Sequence, residues 1–562
     1  MGRRRGLIGS TDTTSGEYVV TDPNQNPDDY NPVVETDYEV GQDNVRPLGL
    51  ELHNPVFFIT AVGIVLAVAF AMIFPERADD ALSGLRGYLE STFDWVYMGA
   101  ANLFVLFCLI LLVSPMGRIR LGGESAKPEF TRLAWFGMLF AAGMGIGLMF
   151  FGVLEPFYHY ASAAGLGDVG GEDSPLGITA EGSEGKAIAM AATIFHWGVH
   201  PWAIYAVVAG SLAFFSFNYG LPLTIRSAFF PIFGDRVWGW FGHVIDILAV
   251  FATMFGLATS LGLGAEQAAT GMAHVWGVPE GNATVVTLIL VITAIALVSI
   301  LLGIHGGVRR LSALNMIMFA LLGAFVLIAG STISILWGSV TSAGHYVANL
   351  VQLSNWVGRE DTDFMHGWTV FYWAWWISWA PFVGMFIARV SYGRTVREFI
   401  FCVLIIPVLA TILWMNIMGG LAIDQFLAGI ESVSTHILMW DNYDDTMPLF
   451  GFLEALPLTA LTSSVAILLV VIFFVTSSDS GSLVIDTISA GGKTDAPVVQ
   501  RSFWAIFEGL VAIALLLSGG IAALQAGAIA LGFPFAIVLL LMAGCTLYAM
   551  WKEAPNYRPG TA

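Results

Sequence analysis

The chain has 562 residues, is 56% hydrophobic and only 12% charged, and carries a formal net charge of −19. So apolar a composition over this length belongs to an integral membrane protein and excludes an ordinary water-soluble domain. The acidic balance argues against nucleic acid as a partner, and Cys108, Cys402 and Cys545, each in a separate apolar run, give no disulfide framework.

Residues 1–50 are polar, acidic and rich in Asn, Pro and Thr, and read as a disordered tail. Beyond them, apolar runs of about 20 residues, enough to cross roughly 30 Å of hydrocarbon, recur along the chain. Twelve are predicted, near 55–74, 95–114, 133–161, 187–216, 238–272, 284–303, 312–338, 366–388, 399–422, 457–478, 503–520 and 523–550. Several exceed a perpendicular crossing and are expected to tilt, kink or break. Twelve crossings put both termini on one side. Every Lys and Arg except Arg77, Arg86, Lys186 and Arg359 falls on that side, in the tails or after an even-numbered span, which makes it the cytoplasm. Residues 341–362 have helical periodicity and half-apolar character, as in a helix lying on the outer membrane surface. Residues 551–562 form a short cytoplasmic tail. An acidic, lysine-poor surface suits life at high salt, where screening suppresses self-repulsion.

Four segments carry chemistry. In the third span, FAAGMGIGLMFFGVLEP places Gly143, Gly145, Gly147 and Gly152 in the membrane. Such glycines either unwind the helix to expose N–H groups to an anion or allow close helix packing. In the fourth span, FHWGVHPWAIY holds Pro201, which is expected to kink the helix and bring Trp197, Trp202 and Tyr205 around the bend. His196 and His200 have a metal-ligand spacing. The glutamate of a metalloprotease helix is absent between them and no third ligand stands out, so structural histidines are the stronger reading and an enzyme the weaker.

In the eighth span, WTVFYWAWWISWAPF contains five tryptophans in twelve positions, with Trp373, Trp376 and Trp379 along one helical stripe. A stripe of ring faces attracts a quaternary ammonium, which has charge but no hydrogen to donate; lipid-facing packing is the alternative. In the tenth span, FFVTSSDSGS offers the Thr476 and Ser477 hydroxyls beside the Phe473 carbonyl, hard neutral oxygens suited to a small cation, or hydroxyls bonded to their own helix. Repeated polar rings, as in a pore, are not evident.

In order and spacing these segments, with the continuation RVSYGRTVREFI, resemble the betaine/choline/carnitine transporter family from about residue 50 to 550. The resemblance implies an all-α membrane protein of twelve transmembrane helices. Two peripheral helices (51–132) precede two LeuT-like inverted five-helix repeats (133–340 and 363–550), in homotrimers working by alternating access in the plasma membrane. It implies an aromatic box of Trp197, Trp202, Tyr205 and Trp376, with Trp373 on the outer approach and Trp379 on the cytoplasmic exit. Trp368 and Trp375 are left to packing or interface anchoring. Gly143, Met144 and Gly145 would face the substrate. Sodium, the coupling ion rather than a cofactor, would be held by the Ala141, Met144 and Phe473 carbonyls and the Thr476 and Ser477 hydroxyls.

Proton-coupled choline members have Asp where this chain has Gly147, and a second sodium site used by some members needs two threonines where this chain has Thr253 and Leu257. The expected function is sodium-coupled uptake of glycine betaine or a similar trimethylammonium solute. A sodium-independent exchanger or a proton-coupled carrier for choline or carnitine is the alternative.

Overall fold

The computed structural model describes residues 36–143, 145–166, 173–302, 309–437 and 445–556. Apart from short 3-10 and π turns and a two-stranded antiparallel ribbon pairing Asn44–Val45 with Leu52–His53, its regular structure is α-helical. In chain order the helices that build the body are α1 (Val56–Ile73), α2 (Pro75–Val113), α3 (Arg132–Gly143), α4 (Ile146–Ala163), α5 (Gly182–Trp197), α6 (Val199–Tyr219) and α7 (Trp240–Trp276). They continue with α8 (Asn282–Leu302), α9 (Arg309–Ala329), α10 (Thr332–Ser354), α11 (Thr362–Val390), α12 (Val396–Leu427), α13 (Thr459–Ser489) and α14 (Val498–Glu553).

Among the described residues, ten helical segments are long and apolar enough to cross a membrane, with α5 and α6 counted as one. Two of the twelve predicted spans are therefore not separate crossings by that measure. The runs at 503–520 and 523–550 lie in α14, whose backbone leaves helical geometry at Gly519 and Gly520, and the run at 133–161 is divided between α3 and α4. The outer helix also differs from expectation. The predicted seventh span ran on through the apolar residues Ile333–Trp337, but the helix stops at Ala329 and restarts at Thr332, so the following helix begins earlier than 341 and ends at Ser354. At Gly330, between them, a Cβ would press on the Leu421 side chain and the Val326 carbonyl.

Burial sorts the helices into layers. The most apolar windows of α5–α6 and of α11 are each 94% buried within the chain, against 28% for α1 and for α9. The two tryptophan-bearing segments therefore form the centre of the bundle, and α1 and α9 turn large apolar faces outward, as a bilayer requires. Central α11 packs on α6, α14 and α7, and α4 packs on α5.

Residues 36–50, assigned to the tail by their polarity, make ordered contacts. Tyr38 stacks on Trp238 at 4.1 Å, and Arg226, fully buried, donates to the Tyr38 hydroxyl at 2.9 Å and pairs with Asp246 at 3.2 Å. The aromatic stack and the Arg226 guanidinium, 5.4 Å from each of the stack's ring centroids, supply the anchoring that average composition does not reveal. Arg226→Met should destabilise the solubilised protein by about 3–5 kcal/mol, because it leaves Asp246 buried without its partner. Adding Asp246→Asn should recover part of that loss in a thermal melt.

Candidate functional site

The glycine stretch breaks its helix. α3 ends at Gly143, Gly145 caps α4 with non-helical torsions (φ −165, ψ −125), and α4 begins at Ile146. The flanking glycines let rings approach. A Cβ on Gly143 would lie 2.7 Å from the Trp202 ring and 3.1 Å from Tyr205, and one on Gly147 would lie 2.5 Å from Trp197 and 3.0 Å from Trp375. Unwinding and close packing, alternatives in the sequence, occur together. Met144 lies outside the described residues.

The second break is not where proline predicted it. α5 ends at Trp197, Gly198 departs from helical geometry (φ −98, ψ −136), and α6 starts at Val199. Pro201 sits in the first turn of α6, where N–H groups lack intrahelical partners anyway, so its ring is accommodated there. The break frees polar groups that side chains take up. The Val199 N–H donates to the Tyr346 hydroxyl at 3.1 Å, and the Trp376 indole N–H donates to the His196 carbonyl at 2.9 Å.

Around these breaks four rings converge. Trp376 lies edge-to-face with Trp197 (4.9 Å between centroids, 82°) and with Tyr205 (5.9 Å, 88°), and Trp202 lies edge-to-face with Tyr205 (5.6 Å, 83°). All four are buried. Roughly perpendicular faces are what a compact cation needs around it. The structure adds two rings to these four: Tyr372, which the sequence did not assign, and Trp375, which it left to packing or interface anchoring. Trp375 stacks beside Trp376 at 5.2 Å and meets Trp197 edge-on, and Tyr372 stacks on Trp376 at 6.2 Å and lies edge-on to Trp197 at 5.6 Å.

Trp373 faces another way. Its indole N–H points to the Met98 sulfur, and its ring stacks on His200 and packs edge-on against Phe195. Trp379 donates to the Gly256 carbonyl of α7 at 2.9 Å and touches Trp375.

The two histidines of the fourth span diverge. His200 bonds the Asn102 side chain at 3.0 Å, whereas His196 Nδ1 lies 2.6 Å from Glu155 Oε1 and its Nε2 lies 2.9 Å from the Thr369 hydroxyl. Glu155, His159 and His196, all fully buried, place their ligand atoms within 4.8 Å of one another. Glu155 and His159 are the partners that sequence spacing around His196 could not supply, since they come from α4. The distances nonetheless favour a proton over a metal. Tetrahedral zinc holds its ligands about 3.3 Å apart, while the 2.6 Å contact is that of a charge-assisted hydrogen bond.

On α13, the Thr476 hydroxyl donates to the Phe473 carbonyl at 2.9 Å and approaches the Ile472 carbonyl at 3.2 Å, with Ser477 half-buried beside it. The Phe473 ring faces the break, 3.5 Å from a Cβ built on Gly145. Ala141 lies in the last turn of α3. At the position of the second sodium site, Thr253 bonds its own helix at the Ala249 carbonyl, and the Leu257 side chain packs directly onto Gly481.

Broken central helices, ring faces gathered at the breaks and at least ten candidate crossings define a polytopic membrane carrier. The profile of betaine/carnitine/choline family transporters matches residues 55–555, and the chain belongs to that family. It is 54% identical over 520 residues to a glycine betaine/proline/choline transporter of Vibrio parahaemolyticus, covering 90% of this chain and 92% of that one. A glycine betaine transporter of the same organism is 52% identical, over 92% and 97% of the two chains. The glycine betaine transporter OpuD of Bacillus subtilis is 42% identical, over 89% and 95%. The family and these relatives are transporters, not enzymes.

Proposed function

We propose that the chain is a sodium-coupled symporter that takes up glycine betaine or a closely similar trimethylammonium solute by alternating access. The observation carrying this reading is the convergence of Trp197, Trp202, Tyr205 and Trp376 at two helix breaks, opposite the glycine stretch. The rings receive the methylated ammonium through cation–π attraction, worth about 2 kcal/mol or more when desolvated. The substrate carboxylate is received by N–H groups of the first turn of α4, where a helix start leaves donors without intrahelical partners.

Sodium is held between the Ala141 and Met144 carbonyls and the Phe473, Thr476 and Ser477 oxygens. The Thr476 hydroxyl donates to the Phe473 carbonyl beside it on α13, which brings two of these oxygens together and leaves the lone pairs of the hydroxyl for the ion. Joining the third span to the tenth through the ion favours the substrate-ready arrangement. Neutral ligands without a fixed carboxylate let the ion leave again.

The twelve-span reading, with two peripheral helices and two inverted five-helix repeats, counts α3–α4 as one crossing and divides α14 at Gly519–Gly520. It places both termini in the cytoplasm and the protein in the cell membrane as a homotrimer. Trp379 lines the cytoplasmic exit. Trp373, packed on α2, shapes the outer approach from behind the cage.

Radiolabelled uptake into proteoliposomes, with a panel of methylated solutes and with or without sodium, tests the proposal. Uptake of betaine driven by an inward sodium gradient is expected. Thr476→Ala combined with Ser477→Ala should raise the sodium requirement steeply. Rapid counter-flow without sodium, unaffected by those substitutions, would favour an exchanger instead.

A further inference from the structure

Two rings of the cage share one buried acid. The Trp197 indole N–H donates to Glu155 Oε2 at 2.8 Å, and the Tyr372 hydroxyl donates to the same oxygen. The third donor is His196: with its Nε2 accepting from Thr369, its Nδ1–H points at Oε1. Glu155 is fully buried, and among the described residues the only basic side chains within 4.0 Å of its oxygens are the imidazoles of His196 and His159, the latter at 3.5 Å. No arginine or lysine is paired with it among those residues.

A carboxylate carrying three donors and no fixed cation, in a low-dielectric interior, is costly unless a positive charge arrives. The cage in front of it is where such a charge arrives. An indole N–H or phenol O–H donating to an anion also drives electron density into its ring, so the faces of Trp197 and Tyr372 become more negative toward the cage. A quaternary ammonium cannot hydrogen-bond a carboxylate. A carboxylate placed behind the rings lets the methyl groups keep aromatic contact while the nitrogen is still attracted by its charge.

We propose that Glu155 is the fixed counter-charge of the substrate ammonium, a positioning and specificity-determining residue that acts through Trp197 and Tyr372 without touching the substrate. This rests on the reading of the cage as an ammonium site. It predicts that Glu155 sets the preference for a charged trimethylammonium over an uncharged group of the same shape.

The test compares glycine betaine with 3,3-dimethylbutanoate, its isostere with carbon in place of nitrogen, by calorimetric titration of the full-length protein. A unit charge one indole away, at an effective dielectric near 20, is worth about tenfold to thirtyfold in affinity. Glu155→Gln, which keeps the shape of the side chain, should lose about that factor for betaine and leave the affinity for 3,3-dimethylbutanoate unchanged or improved. Equal losses for the two ligands would mean a merely structural role, and an unchanged betaine affinity would mean no role; either overturns the proposal.

Tyr372→Phe, which removes one donor and little volume, should shift the same ratio in the same direction by a smaller factor, and serves if Glu155→Gln does not fold. An unmoved ratio in Tyr372→Phe also overturns the proposal. If the wild type binds no betaine, the functional reading fails separately. The ratio is then read on choline against 3,3-dimethylbutanol, where loss of charge selectivity in Glu155→Gln supports the counter-charge and its retention overturns it.

Discussion

Trp376→Leu should reduce betaine transport at least about a hundredfold while the protein remains folded. Two losses combine. The ring supplies a cation–π face worth about 2 kcal/mol or more in a desolvated cage. Its indole N–H also satisfies the His196 carbonyl freed at the Gly198 break, and leaving such a buried acceptor unpaired costs about 1–3 kcal/mol. Part of the second term falls on stability and part on the geometry of α5, whose last residue, Trp197, is itself a cage wall. Trp376→Phe separates the terms, because it keeps a ring face and removes the donor. Its transport should lie between wild type and leucine, with the melting temperature lowered in both variants. Proteoliposome uptake and a thermal melt on the same preparations measure this. Leucine transport close to wild type would remove Trp376 from the cage.

How far the sequence anticipated this site depends on which physical signal each residue carried. Trp197, Trp202, Tyr205 and Trp376 stand in motif segments dense in aromatic residues, and the structure places them together. The helix break beside them was legible as a break but not as a position. Proline draws attention because it cannot donate, yet a proline in a first turn disturbs little, and the residue that leaves helical geometry is Gly198. Glu155 was not singled out in the sequence, although an acid inside an apolar run in a membrane marks a functional position by default. Its partners were not legible there, since Trp197 and Tyr372 come from two other helices and meet it only through tertiary packing.

The helix count met a similar limit. Hydropathy cannot distinguish a continuous long helix from two segments joined at Gly519–Gly520, because the glycines interrupt the backbone and not the apolar character. Residues 36–50 show the converse. Their polar composition argued for disorder, while a stacked tyrosine, a buried arginine and a hydrogen bond from Asn44 to the Ala490 carbonyl hold them in place.

The glycines of the broken third span make a sharper test than the rings, because neighbouring positions should respond unequally to the same small change. A methyl group added at Gly147 meets the Trp197 ring at 2.5 Å and the Trp375 ring at 3.0 Å. Neither ring can swing aside freely: Trp197 is tied to Glu155 at 2.8 Å and Trp375 to the Ser260 hydroxyl at 3.2 Å, and both are buried. Overpacking at such a site typically costs about 1–3 kcal/mol. Displacing Trp197 distorts the cage, so Gly147→Ala should weaken betaine affinity by about fivefold to a hundredfold. A methyl group at Gly145 finds its nearest neighbour, the Phe473 ring, at 3.5 Å, which is ordinary contact. Gly145→Ala should therefore cost less betaine affinity than Gly147→Ala, with part of its effect on the sodium dependence, because Phe473 supplies one of the proposed sodium ligands. Titrating betaine at saturating sodium, then sodium at saturating betaine, separates the two. Equal betaine losses in both variants would mean that the glycines are needed for unwinding alone, and that close ring approach at Gly147 contributes nothing to binding.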